Sequence, residues 1–126
     1  MALNKNKELL VVDDVEVNRV ILREIFQEDY TVLEAQNGLE ALAIIDDHGE
    51  NLAAVLLDIV MPVMDGFGVL EALQERGFIK KVPVFLITAE CSEEVTLRSF
   101  ELGVMDVIER PIVAHIVKKR IESIIE

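Results

Sequence analysis

Three acidic residues stand where apolar runs stop. Leu9-Leu10-Val11-Val12 is followed by Asp13-Asp14, and Ala54-Val55-Leu56-Leu57 is followed by Asp58. An apolar run of this length reads as a strand buried on both faces. If the two strands are parallel neighbours, three carboxylates converge on one edge of a sheet. Like charges held that close raise one another's pKa unless a cation lies between them. The pattern points to a divalent metal site containing a nucleophilic aspartate. Taken singly, each aspartate also reads as a helix cap. Three strand-end carboxylates in adjacent units are harder to explain as three independent caps.

Hard oxygen ligands with room for water suit Mg²⁺, which takes one or two carboxylates together with phosphate oxygens; Mn²⁺ could replace it. Thr88 follows the apolar run Val84-Phe85-Leu86-Ile87. It is either a strand-compatible β-branched residue or a hydroxyl placed to bond a phosphoryl oxygen. Arg110 is the one cation at a strand end; its plainer reading is a surface charge offsetting Glu109. Together these residues describe a phosphoryl-transfer site, with Asp58 as nucleophile and Thr88 and Arg110 on phosphoryl oxygens. Such chemistry rests on positioning and electrostatics.

The elements that must position these groups alternate along the chain. Strands are expected at Glu8–Asp13, Tyr30–Ala35, Leu52–Leu57, Val82–Ile87 and Val107–Glu109. The first helix runs from about Val15 to Phe26, with Val17, Val20, Ile21, Ile25 and Phe26 at helical spacing. Asn37 caps a second helix through about Asp47, with Gly49 as its stop. Gly66 opens a third, with Phe67, Leu70 and Leu73 on one face, ending near Gly77. Ser92 caps a fourth, which runs to about Leu102 and ends at Gly103. The fifth follows Pro111, with Ile116, Val117, Ile121 and Ile124 as its buried stripe. Five βα units imply a parallel sheet with helices on both faces. The flavodoxin-like strand order 2-1-3-4-5 makes strands one and three neighbours and places ligands outside their carboxyl ends.

Composition bounds the rest. The chain has 126 residues, 52% of them hydrophobic, which suits one domain with a substantial core. A short polar, flexible tail at 1–6 and a single domain at 7–126 are expected. There is neither a signal-like start nor an apolar run of the roughly 18 residues a membrane span needs. One cysteine, Cys91, excludes an internal disulfide framework and fits a reducing cytoplasm. The 24 acidic and 12 basic residues give a net charge of −12, unsuited to direct nucleic-acid binding.

With these residues in order, the chain resembles the receiver domain of two-component response regulators, the CheY-like fold. The matching pieces are Val11-Val12-Asp13-Asp14 with Asn18-Arg19, the segment from Leu57-Asp58 to Asp65-Gly66, Thr88-Ala89, and Pro111 after a basic residue. The resemblance runs from Lys7 to about Ile125. It implies that Asp58 is the phosphoacceptor, and that Asp14, Asp58 and the carbonyl of Val60 are direct Mg²⁺ ligands with Asp13 acting through water. It implies that Thr88 is the switch hydroxyl, that Ala89 leaves room above the site, and that Pro62 and Gly66 shape the loop before the third helix. Partners implied are a sensor histidine kinase or phosphotransfer protein, or a small donor such as acetyl phosphate. An output domain, fused or separate, and a homodimer through the face of helix four, strand five and helix five complete the set. The end of the chain, with Ile112-Val113 and Lys119-Arg120, resembles receivers fused to output domains.

Two positions depart from the family pattern. Arg110 stands where lysine is usual, and Val107 where an aromatic ring is common. Arginine is planar, longer and always charged. It can clamp a phosphoryl oxygen, or pair permanently with Asp58 or Asp13 and bias the site. Valine cannot swing inward as a ring does, so relay must use backbone and loop shifts or another residue. Val60 and Glu90 flank the phosphoryl position and tune hydrolysis in the family. His48 and His115 read as surface residues, Met61 and Met64 as loop packing, and Lys118-Lys119-Arg120 as a solvated face that could meet an acidic partner. Acidic neighbours argue against a reactive Cys91. Competing functions are a phosphorylation-independent docking or dimerisation module, and an aspartate-nucleophile phosphatase. The phosphatase would want an acid where Val60 stands, and a cap domain. Nucleotide binding lacks a Gly-rich turn after the first strand.

Overall fold

The computed structural model describes residues 7–125; the expected tail at 1–6 lies outside them. The strands are β1 (Glu8–Val12), β2 (Thr31–Ala35), β3 (Leu52–Leu57), β4 (Val84–Thr88) and β5 (Asp106–Glu109). The helices are α1 (Glu16–Phe26), α2 (Gly38–His48), α3 (Gly66–Glu75), α4 (Glu93–Glu101) and α5 (Ala114–Ile125). All strand pairs are parallel, in the order β2-β1-β3-β4-β5. This is the doubly wound, flavodoxin-like α/β architecture that the alternating pattern implies.

Side-chain alternation divides the strands between two cores. Leu10, Val12, Val55, Leu57, Val84 and Leu86 face α2 and α3, meeting Leu42, Ile45, Leu70 and Leu73. Leu9, Val11, Ala54, Leu56, Phe85 and Ile87 face α1 and α5, meeting Leu22, Phe26, Val117 and Ile121. Strands covered on both faces have no solvent side to carry polar residues, which is why their sequences are unbroken apolar runs.

Local chemistry sets the ends. Asn37, Asp65 and Ser92 cap α2, α3 and α4, accepting from the backbone N–H of Glu40, Gly68 and Val95. The aspartates after β1 do not cap α1, whose N-cap residue is Val15 with no side-chain bond. β4 starts at Val84, after Pro83, and includes Thr88. β1 stops at Val12, although the Asp13 N–H still donates to Ala35 O at 3.1 Å.

Two helical stripes differ from expectation. On α1, Leu22 and Phe26 are buried, whereas Val17 and Ile21 are exposed. The exposed pair is centred about 140° around the helix from the buried one, because each residue turns the helix by about 100°. On α5, Val117 and Ile121 are buried and Ile116 and Ile124 are exposed. His48 is half-buried, with Nδ1 2.7 Å from Glu8 Oε1.

Arg19 and Arg23 of α1 grip Glu34 of β2 at 3.1 and 2.7 Å. Burial opposes ionisation of Glu34, but the hydrogen bonds from Arg23 and Arg19 outweigh it and hold its carboxyl below the usual range. A depressed folded pKa contributes stability that is present above the unfolded value, near 4.5. That stability is lost as pH falls through the folded value. Glu34→Gln should therefore lose less stability than the parent chain between pH 5 and pH 3, measured by urea unfolding at each pH; parallel losses would contradict this.

Candidate functional site

Strand register brings the acids together. Val12 pairs with Leu57 across β1 and β3, so the next residues, Asp13 and Asp58, leave the sheet side by side. The Asp58 N–H donates to Val12 O at 3.0 Å and fixes that relation. Asp13 is fully buried, Asp58 is 8% exposed and Asp14 is exposed. One carboxylate oxygen from each lies within 4.8 Å of the others.

Each buried carboxylate is held by a backbone donor and by Arg110. Asp13 Oδ1 accepts from the Val15 N–H at 2.8 Å, and Asp58 Oδ1 from the Ile59 N–H at 2.7 Å. Arg110 Nη2 donates to Asp13 Oδ2 at 2.5 Å, and Arg110 Nη1 lies 3.3 Å from Asp58 Oδ2. Burial pushes the Asp13 carboxyl upward, and the charge of Asp58 adds to this; the Val15 N–H and Arg110 act against it without cancelling it. Arg19 Nη1 donates to Asp13 O at 2.8 Å from a site only 8% exposed. With the Asn18 side chain bonded to the Asp13 carboxylate, the Asn18-Arg19 pair backs the acidic edge, a role that residue type and spacing alone do not indicate.

Thr88 closes the other side at the end of β4, 1% exposed. Its Oγ1 accepts from the Glu90 N–H at 3.1 Å, and its carbonyl accepts the Arg110 N–H at 3.0 Å. Ala89 and Glu90 are exposed; Val107 is half-buried in register with Leu86. The bond before Pro111 is cis. Cys91 Sγ donates to the same Thr88 carbonyl at 3.4 Å. Burial and the charge of Glu109 push its thiol upward, in line with an unreactive cysteine.

The loop from Asp58 to Gly66 carries signals that residue types alone do not show. Val60 is 60% exposed, Pro62 is exposed and Met61 is buried. Val63 has φ 71°, unusual for a β-branched residue, in a three-residue turn closed by the Met64 N–H on Pro62 O at 2.8 Å. Such a conformation costs roughly 1–3 kcal/mol and persists where its surroundings hold it. The Met64 carbonyl is held by the Gly38 N–H at 3.1 Å, tying the loop to α2. Gly66 donates to Ile59 O at 2.8 Å and packs directly on the Asp58 backbone.

The arrangement is an acidic, oxygen-only pocket bordered by one hydroxyl and one guanidinium. Three hard carboxylates, one exposed and two buried, fit a divalent cation such as Mg²⁺ better than a soft metal.

Residues 9–122 match the family model described as the response regulator receiver domain. The chain belongs to the response regulator receiver family of two-component signalling. It is 31% identical over 125 residues to a probable transcriptional regulator, ycf27, of Cyanophora paradoxa, covering 99% of this chain and 50% of that protein. It is 31% identical over 121 residues to the transcriptional regulatory protein SrrA of Staphylococcus aureus, covering 95% and 48%. The chain spans about half the length of these relatives. Among solved structures it is similar to CheY in the CheX–CheY–BeF3–Mg complex of Borrelia burgdorferi, with a TM-score of 0.87, 30% identity and coverage of 95% and 90%. It is also similar to the chemotaxis protein CheY4 of Vibrio cholerae, with a TM-score of 0.84, 26% identity and coverage of 93% and 97%. Among the described residues, no helix is long and apolar enough to cross a membrane.

Proposed function

We propose that this domain is a phosphorylatable switch in which Asp58 accepts a phosphoryl group from a sensor histidine kinase or a phosphotransfer protein. The carrying observation is that Asp13, Asp14, Asp58, Thr88 and Arg110 meet at one sheet edge in a chain of the receiver family. An Asp58 carboxylate oxygen attacks phosphorus. The P–N bond of a phosphohistidine, or the P–O bond of acetyl phosphate, breaks, and its electron pair leaves with the donor. Asp14, Asp58 and the Val60 carbonyl would hold Mg²⁺ directly, with Asp13 supporting it through water. Bound there, the cation supplies charge neutralisation between the carboxylates and the incoming phosphoryl oxygens.

The remaining work falls to the chain's own groups. The Ile59 N–H orients the Asp58 carboxylate. Arg110 offers its two outer nitrogens to phosphoryl oxygens. The Thr88 hydroxyl leaves its bond with the Glu90 N–H to donate to the phosphoryl group, drawing the loop from Ala89 to Cys91 inward. Thr88 pairs with Glu109 in the sheet, and the Thr88 carbonyl holds the Arg110 N–H, so movement there passes to β5 through the backbone. Val107 takes no swinging part. Val60 and Glu90, both exposed, border the path of the hydrolytic water.

The domain acts as a cytoplasmic signalling phosphoacceptor rather than as an enzyme on an external substrate. Its output is the face of α4, β5 and α5, read by a fused or separate output domain or by a second copy of the chain. It makes no direct contact with nucleic acid or membrane, in keeping with its net charge of −12. Incubation with acetyl phosphate and Mg²⁺, followed by intact-mass measurement, should show a gain of one phosphoryl group. Asp58→Ala should abolish the gain, and chelation of the metal should suppress it. No gain with any donor would favour a phosphorylation-independent docking module.

A further inference from the structure

Arg110 engages the pocket in a way its position at the end of β5 does not require. Its side chain is mostly covered, and its backbone N–H is fixed to Thr88 O at 3.0 Å. From that anchor the guanidinium reaches two different carboxylates, Asp13 at 2.5 Å and Asp58 at 3.3 Å. The other oxygen of each is already taken by the backbone N–H of Val15 or Ile59. All four carboxylate oxygens of Asp13 and Asp58 therefore face a proton donor or a cation. Asp14, exposed, has no hydrogen bond or ion pair among the described residues.

A divalent cation in this pocket needs an oxygen of Asp58 and the support of Asp13, and it would sit beside a fixed positive charge. Whichever oxygens of Asp13 and Asp58 it drew on are already engaged, two by backbone N–H groups and two by the guanidinium. A planar fork satisfies two carboxylates at once, which a single, strongly hydrated ammonium does less well. We propose that Arg110 is an internal competitor for the divalent cation, and that the cation engages Asp13 and Asp58 only as the guanidinium withdraws from at least one of them. The proposal rests on the receiver reading, because it takes the acidic pocket to be a cation site. Its consequence is a metal-free site locked by its own arginine, with cation loading releasing the guanidinium toward the incoming phosphoryl group.

The test uses Mn²⁺ alone, with free metal counted by its electron paramagnetic resonance signal, for the parent chain, Arg110→Lys and Arg110→Gln at fixed ionic strength. Arg110→Gln should bind Mn²⁺ about tenfold tighter than the parent, and Arg110→Lys about threefold tighter, because lysine keeps the charge but loses the fork. If Arg110→Gln binds no tighter than the parent, the proposal fails and the receiver reading stands. If only the glutamine variant tightens, the effect is net charge and the competition through the fork is overturned. Absence of binding to all three proteins would overturn the proposal together with the metal part of the receiver reading. Should either variant fold poorly, the Arg110 Nε–H resonance of the parent chain gives an independent reading. It should shift in step with the Ile59 amide during Mg²⁺ titration; an unmoved Arg110 signal beside a shifting Ile59 amide overturns the proposal.

Discussion

Gly66→Ala should lose at least ~2 kcal/mol of stability, a forced overpacking of a tight site, and should lose most phosphorylation with it. A Cβ built at Gly66 would lie 2.4 Å from the Asp58 carbonyl oxygen and 2.8 Å from the Ile59 Cα. Both are backbone atoms of the segment that carries the acceptor. No rotamer change relieves them, so the strand exit must shift and Asp58 with it. Gly68→Ala is the matched control. Its Cβ would meet Met64 Cγ at 2.8 Å, part of a flexible side chain that can turn away. Replacing glycine with alanine inside a helix is otherwise worth roughly 1 kcal/mol in favour of the variant. Urea unfolding should therefore show Gly66→Ala strongly destabilised and Gly68→Ala near the parent. Equal stability of the two variants would remove Gly66 from its role in holding the loop.

Removing Asp14 should separate metal affinity from stability. Its side chain is exposed and unpartnered among the described residues, so Asp14→Ala should change folding free energy by no more than about 0.5 kcal/mol. The same change should weaken Mg²⁺ binding by at least about tenfold, because it deletes a direct oxygen ligand. Asp13→Ala should weaken binding by roughly 10–100-fold, the usual cost of losing a group that orients and supports a metal site. It should also disturb the fold, since Asp13 is buried and accepts from Val15 and Arg110. Titration calorimetry with Mg²⁺ and urea unfolding of both variants check the pair. Unchanged affinity in Asp14→Ala would contradict the assignment of the direct ligands.

The fold was legible because each buried strand is an apolar run of fixed length that ends in a residue the core cannot take. That pattern placed Asp13, Asp58 and Thr88 correctly on one edge, since their positions follow from strand length and parallel register. The loop between Asp58 and Gly66 was only half legible. The left-handed Val63 and the Met64 carbonyl held by Gly38 depend on contacts across the fold, which spacing does not encode. The apolar stripes of the helices are wider in sequence than in the core for a related reason. Periodicity finds an apolar face but not the ridge that meets the sheet, so Val17, Ile21 and Ile116 share a helical period with buried neighbours and are nonetheless exposed. Ile124, on the buried ridge of α5, lies a turn beyond Ile121 and borders an open groove with Lys7 and Tyr30. Arg19 was hidden by its type. A buried guanidinium is recognisable only once Glu34 and the Asp13 carbonyl stand beside it.

The central claim is that Asp58, and no other group, receives the phosphoryl group. Borohydride reduces an acyl phosphate to the alcohol, so phosphorylated aspartate becomes homoserine. The chain should be treated with acetyl phosphate and Mg²⁺, reduced, digested and sequenced by mass spectrometry. Homoserine at position 58, and at no other aspartate, is the predicted result. Homoserine at Asp13 or Asp14, a phosphoryl group on His48 or His115, or an unmodified residue 58 in a chain that has gained mass would contradict it.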